Sequence, residues 1–285
     1  MTPYIIIRLT MAGKTITVQK GGVYRLNRIE GIESPDYDVR AEEYSTMPGG
    51  YLSEEHVPVR NVSLTFTVDD IYRTEEERKK LISFFGIGKT GELEVERAGA
   101  KRKLQIRMAA SPTFEQANIH TDRLKVTVQM MALSPYFEAT VPVEIRFGTV
   151  IPLLNFPLTF VSGVGVDFGK PEVTDYAVLY NDGDVGAGLV LTVRASGGRI
   201  TNPYVYLDRE YVRVLTVLEA GDELVIDTRT GKKSIRINGE NRLLFDRNST
   251  FFSVPPGEHT VRVGADGGKE YIDAQTEIVY QYNGV

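Results

Sequence analysis

The chain has 285 residues, a formal net charge of −5, 25% charged and 42% hydrophobic residues, no cysteine and three histidines. The length suits two domains, and the composition excludes disorder as the main state. The acidic balance argues against a general nucleic-acid binder, and the missing cysteines exclude disulfides, thiolate metal sites and cysteine nucleophiles.

The start, MTPYIIIRLT, has too short an apolar stretch before Arg8 for a secretory leader, and predicts no targeting segment. A period of two dominates the first half of the chain. Ile5–Ile7 and Thr15–Val18 read as short strands. The stretch 32–58 carries Pro35, Met47-Pro48-Gly49-Gly50 and Pro58, and seven acids against Arg40 alone. It predicts a projecting arm that adds little to a core. In VRNVSLTFTV (59–68), Val62, Leu64, Phe66 and Val68 share one strand face. Thr74 and Glu77 form a capping-box pattern, Leu81, Ile82, Phe84 and Phe85 offer an apolar face, and Gly86 suits a helix end. These signals predict a helix at about 75–85. Leu93 and Val95, then Leu104, Ile106 and Met108, predict a hairpin turning at Ala98-Gly99-Ala100, and Leu124–Met130 another strand.

From Val141 the texture changes. Pro142, Pro152 and Pro157 mark a junction, so the domains are read as 1–140 and 141–285. The run Val150–Val166 is apolar but too short and too interrupted to span a bilayer, so no membrane insertion is expected. Short strands then alternate with turn signals such as Asn181-Asp182-Gly183-Asp184 and Asn238-Gly239, the pattern of an all-β sandwich. Residues 1–140 balance at 19 bases and 19 acids, whereas 141–285 carry 14 bases and 19 acids. Within the first part the arm is acidic, and Arg97, Lys101, Arg102, Lys103 and Arg107 make a basic hairpin.

Catalytic patterns are weak. Ser53, His56 and Glu54 or Glu55 are neighbours, but in the arm and without a nucleophile elbow. Asp69-Asp70 reads as a strand-end turn, since neighbours on a strand face opposite ways. Asp182-Gly183-Asp184 lacks the later ligands of a calcium loop, and Gly163-Val164-Gly165 lacks the helix of a nucleotide fingerprint. Nothing in the spacing of His56, His120 and His259 makes a metal site. No catalytic residue, metal or cofactor is expected. Tyr204, Tyr206, Tyr211, Phe251 and Phe252 leave a sugar-stacking platform open, although Trp is absent.

Six segments, in order, resemble one family. They are VRNVSLTFTV led by Arg60, ALSPYF (132–137), NDGDVGAGLVLTV (181–193), ITNPYVYL (200–207), GDELVIDTRTGKKSIRINGEN (221–241) and SVPPGEHTVRV (253–263), the last with His259 where Asn is common. Together they resemble the distal tail proteins of long-tailed, non-contractile bacteriophages. The resemblance implies a mainly β chain: an N-terminal β-sandwich with one α-helix and a projecting arm, then a C-terminal galectin-like β-sandwich. It implies a structural virion protein, a ring of six at the tail tip, joining the tail tube to a tail-associated lysin or fibre hub. A receptor-binding protein is a further implied partner, and DNA passes through the bore without specific binding. Such a protein is made in the host cytoplasm. The alternative is a carbohydrate-binding module that attaches a particle to the host wall, with Tyr204, Tyr206 and Tyr211 as glycan contacts.

A cyclic ring needs two different patches on each subunit. The acidic arm (Glu42, Glu43, Glu54, Glu55) and the basic hairpin (Arg97, Lys101, Arg102, Lys103) are the expected pair. Charge reversal at Lys101, Arg102 and Lys103 is then expected to weaken assembly, most at low salt. Net acidity is expected to keep DNA from adhering to the bore.

Overall fold

The computed structural model describes residues 4–69, 74–118, 121–147, 149–152, 169–172 and 175–285. The chain divides into two compact units, Met1–Thr140 with Gln281–Val285, and Val141–Tyr280.

The first unit contains β1 (Ile5–Met11), β2 (Lys14–Gln19), β3 (Tyr24–Glu30), β4 (Asp38–Glu43), β5 (Gly50–His56) and β6 (Arg60–Val68). Next come α1 (Thr74–Phe84), β7 (Thr90–Arg97), β8 (Ala100–Met108), β9 (Thr113–Asn118), β10 (Thr121–Ala132) and β11 (Phe137–Ala139). Apart from β4 and β5, these strands and Gln281–Tyr282 form one ten-stranded sheet. The sandwich is one sheet folded over, because β8 pairs with β7 and β11 and also meets β10 at Met108↔Met130. The expected faces hold: Val62, Leu64, Phe66 and Val68 are all buried, beside Leu93, Val95, Leu104 and Val126. Burying such aliphatic and aromatic side chains stabilises by about 1.5–3 kcal/mol each before the ordering entropy is set against it.

Two-residue turns connect the outer hairpins. Ala98 and Gly99 both have positive φ (50° and 88°), as a type I′ turn demands, so Ala100 already pairs with Arg97. α1 lies one residue earlier than expected at each end. Leu81, Phe84 and Phe85 are buried, but Ile82 is half exposed. The buried three lie at i, i+3 and i+4, whereas Ile82 sits about 100° round the helix from Leu81. The Glu77 carboxylate accepts a hydrogen bond from the Tyr24 hydroxyl and so ties the helix to the sheet.

The arm is more ordered than a loop. β4 and β5 pair antiparallel from Asp38↔His56 to Glu43↔Gly50 as a separate two-stranded sheet. Every residue of both strands is exposed. At the arm's base Ile32 is buried, and Gly31 has φ 82° with Asn61 O 2.0 Å from where a Cβ would stand.

The second unit contains β12 (Val143–Phe147), β13 (Thr149–Pro152), β14 (Gly169–Glu172), β15 (Tyr176–Asn181), β16 (Leu189–Ala195) and β17 (Ile200–Leu207). β18 (Glu210–Arg213), β19 (Val217–Leu218), β20 (Glu223–Asp227), β21 (Ser234–Ile237), β22 (Glu240–Asn241), β23 (Gly257–Gly267) and β24 (Ile272–Ile278) complete it. One sheet runs β12-β24-β16-β20-β21-β22, and the other runs β15-β23-β17-β18 with β19 beside β17. Their inward residues, among them Leu191, Val193, Ile226, Val205, Val261 and Val263, form a single core. The Asn238-Gly239 hairpin is a two-residue turn, φ 50° and 82°, closing Ile237 on Glu240. Asn181 explains the turn after it: its side-chain oxygen accepts from Gly183 N, and its amide donates to Val185 O and Val254 O. That is the work of a turn residue, with no ion required. Gly163-Val164-Gly165, Asp70 and His120 lie outside the described residues.

The last strand, β25 (Gln281–Tyr282), belongs to the first unit, which the reading of 141–285 as one domain does not anticipate. It pairs with β11 through Phe137↔Tyr282 and Glu138↔Gln281. The second unit is therefore inserted, in sequence, between two neighbouring strands of the first.

Candidate functional site

Arg60 sits at the centre of the first unit's closure. Its side chain is buried, and its hydrogen bonds go to backbone carbonyls. It donates to Gly31 O at 2.8 Å, Glu33 O at 2.7 Å, Pro135 O and Asn283 O. The guanidinium also stands 5.0 Å from the Phe137 ring centroid. One side chain thus fastens the arm's base, the 132–137 segment and residues 281–285. Burial lowers its pKa, but guanidinium starts so high that it stays charged. Gly284 completes the fit, since a Cβ there would stand 2.7 Å from Glu33 O. Arg60 belongs to the resembling segments, but its carbonyl partners lie far away in sequence.

The basic hairpin is largely occupied within the chain. Arg102 donates to Gly284 O and stacks 3.7 Å from the Tyr282 ring centroid. Arg97 bridges Glu33 at 2.7 Å and donates to Val285 O. Lys101 faces Glu96 at 3.6 Å and Lys103 faces Glu92 at 3.8 Å. Arg97 and Glu33 are a base of the hairpin and an acid of the 32–58 stretch, and they meet inside one subunit. The charge count of the hairpin read alone leaves out β7, where Glu94 and Glu96 stand opposite Lys103 and Lys101 and Glu92 stands opposite Gln105.

The arm's acids stand on its exposed strands. Glu42 accepts from Tyr51 at 2.6 Å, Glu55 accepts from Tyr37 at 2.7 Å, Glu54 bridges Arg40 at 3.2 Å, and Glu43 is exposed at the end of β4. The arm also presents large apolar side chains to solvent, including Tyr37, Val39, Tyr44, Met47, Tyr51 and Leu52. The acidic count in the sequence hides them. Ser53 donates to Arg40 O and His56 lies 3.6 Å from Asp38, so they do not form a catalytic pair. Asp69 bridges Arg25 and Arg123. Among the described residues no group of three or more His, Cys, Asp or Glu is placed to hold a metal, and no helix is long and apolar enough to cross a membrane.

In the second unit, Tyr204, Tyr206 and Tyr211 come together on the outward face of β17 and β18. Tyr206 and Tyr211 are cross-strand partners, 5.1 Å apart at 30°, and Tyr204 meets Tyr206 edge-on at 5.3 Å. Phe251 and Phe252 pack into the core. They therefore add nothing to an outward platform.

A buried carboxylate gives the second unit an acid limit. Burial would raise the Asp227 pKa, but the bonds from the Arg229 guanidinium and N–H outweigh it and hold the carboxyl below its ordinary range. A depressed pKa contributes stability above the unfolded value, near 4, and that contribution is lost as pH falls through the folded value. Asp227→Asn is expected to cost about 1–2 kcal/mol at pH 7 and to flatten the decline in stability below pH about 4. Denaturation midpoints measured from pH 7 to pH 2.5 check both parts; equal slopes for the two proteins would refute the assignment.

Residues 182–282 match the family model of the siphovirus-type tail component, C-terminal domain. A search of curated proteins gives no match. Among solved structures, the fold is similar to Dit of phage SPP1, described as a paradigm of the hub adsorption apparatus of phages infecting Gram-positive bacteria. That likeness has a TM-score of 0.65 at 10% identity, over 96% of this chain and 98% of that one. It is also similar to chains of the phage p2 baseplate in its activated conformation, with calcium (TM-score 0.52, 9% identity) and with strontium (TM-score 0.50, 10% identity), each over the full length of both chains. Residues 182–282 are thus similar to the C-terminal domain of the siphovirus-type tail components, within a mainly β fold that is similar over nearly the whole chain to that of SPP1 Dit.

Proposed function

We propose that this chain is a structural hub of a phage tail tip, that six copies close into a ring through the first unit, and that the ring joins the tail tube to the adsorption apparatus and passes DNA. The family match and the fold support the tail-tip reading. The observation that carries ring assembly is the β4–β5 arm. A lone two-stranded hairpin is marginally stable in water. This one has all its strand residues exposed and displays three tyrosines with Val39, Met47 and Leu52. Exposed apolar surface of that kind marks a protein–protein contact, and a neighbouring subunit supplies one. The partners are the tail tube, the lysin or fibre hub and a receptor-binding protein, with the virion tail tip as the location.

The arm acids Glu42, Glu43, Glu54 and Glu55 then edge an interface whose centre is apolar. Charge reversal at Arg102 is a poor probe of it, because that change also breaks the bond to Gly284 O. Removing the arm is the cleaner test. The full chain is expected to scatter as a particle of about 190 kDa, six times 31.8 kDa, with an open centre in negative stain. Replacing 38–56 by a short Gly-Ser turn is expected to leave a folded monomer. Rings that persist without the arm would overturn its role. A full chain that stays monomeric at high concentration, alone and with tail tube protein, would overturn the ring.

A further inference from the structure

We infer that the outward face of the β15-β23-β17-β18 sheet is a binding site for a neutral, hydroxyl-rich pyranose glycan. The register sets up a row across four strands: Tyr176 opposite Arg262, Arg262 opposite Tyr206, and Tyr206 opposite Tyr211. Their neighbours in the strands, Ala177, Val205, Val212 and Val261, turn inward, so the row is the other side of a packed sheet. It holds tyrosine rings, packed against one another, on a rigid element, as a stacking site requires.

The face is shaped as well as aromatic. The Tyr204 ring lies across Gly264, with ring atoms 2.7–2.8 Å from where a Cβ would stand. Any side chain at 264 would displace the ring. Beside it Arg213, cross-strand partner of Tyr204, pairs with Asp266, and Asn202 donates to the same carboxylate at 2.9 Å. Hydrogen-bond donors and acceptors therefore rim the rings, with Arg213 and Asp266 balancing one another and Arg262 a further donor within the row. A pyranose offers the complement: an apolar C–H face for the ring and hydroxyls that both donate and accept. A charged polymer needs several charges of one sign, and the row itself offers Arg262 alone, since Arg213 is held by Asp266. An apolar protein partner would leave that polar rim unmatched.

The site stands independently of ring assembly, so a chain that never forms rings tests it equally well. The probes are lactose, cellotetraose and chitotetraose with the full chain. Saturation-transfer NMR reads contact with the sugar, and tyrosine emission reads the protein, which has no tryptophan. At least one probe is expected to receive saturation on its axial C–H protons at about 10 mM or below. Y206S/Y211S is expected to weaken that binding at least about tenfold, which a lost stacking contact accounts for. If that pair unfolds, Gly264→Val displaces Tyr204 and is expected to act in the same direction, and Asp266→Asn tests the rim. No transfer from any probe to the folded chain, or transfer unchanged in the folded variants, overturns the proposal. So does binding confined to a polyanionic glycan.

Discussion

Arg60→Ala is expected to destabilise the first unit by about 3–5 kcal/mol, against a typical total of about 5–15 for a domain. The guanidinium is buried and meets four carbonyls from three separate stretches of chain. Truncation leaves those carbonyls without their donor, and each buried polar group left unpaired costs about 1–3 kcal/mol. It also opens a space beside Phe137, which is itself fully buried. Arg60→Lys keeps the charge, but a compact ammonium with three donors cannot reach four acceptors held by a planar fork. It is expected to recover less than half of the loss. Hydrogen exchange measures this unit by unit: the Val285 amide, which donates to Ile32 O, loses protection, while the amides of β16 and β24 keep theirs. A loss below about 1 kcal/mol in Arg60→Ala would show that water replaces the clamp.

The second large effect concerns residues 281–285. A protein ending at residue 140 is expected not to fold stably, although it holds all but one strand of the first unit's sheet. It loses β25 from the edge beside β11, the Tyr282 ring under Arg102, the carbonyls that Arg60, Arg97 and Arg102 hold, and the Val285 N–H on Ile32. The register gives the repair. Glu138 pairs with Gln281, so Ala139 joined through an inserted Asn-Gly turn to Tyr280 continues the ladder as a two-residue hairpin. That shortened chain is expected to fold with a cooperative melt within a few degrees of the first unit's own. Equal stability of the protein ending at 140 would refute the dependence. The repaired chain also offers the arm-deletion experiment a single-unit background.

Sequence alone determined the local elements and the broad architecture. Alternation marks β6, β8 and β10 because each has one face on a core, and Asn238-Gly239 announces its turn through the backbone region it requires, whereas the turn read at Ala98-Gly99-Ala100 closes one residue sooner, with Ala100 already paired. Glycine and acids bracket α1 for the same kind of reason, and six ordered segments carry the family resemblance. Contacts distant in sequence were not legible. Composition made the arm an acidic loop, but its strands and displayed apolar residues emerge only when β4 is set against β5. The basic hairpin read as an assembly patch, because nothing local reveals that its arginines hold carbonyls of residues 284 and 285, or that Glu33 answers Arg97. Domain 2 read as running to the end, since Gln281 and Tyr282 look like any short strand until β11 is beside them. Tyr204, Tyr206 and Tyr211 were found as residues, whereas Arg262, Gly264 and Asp266 became part of their surface through cross-strand register alone. Periodicity is a one-dimensional signal that reports which face a residue takes. Which partner fills that face is set by strand pairing and by buried groups that must be satisfied, and only the tertiary structure decides those.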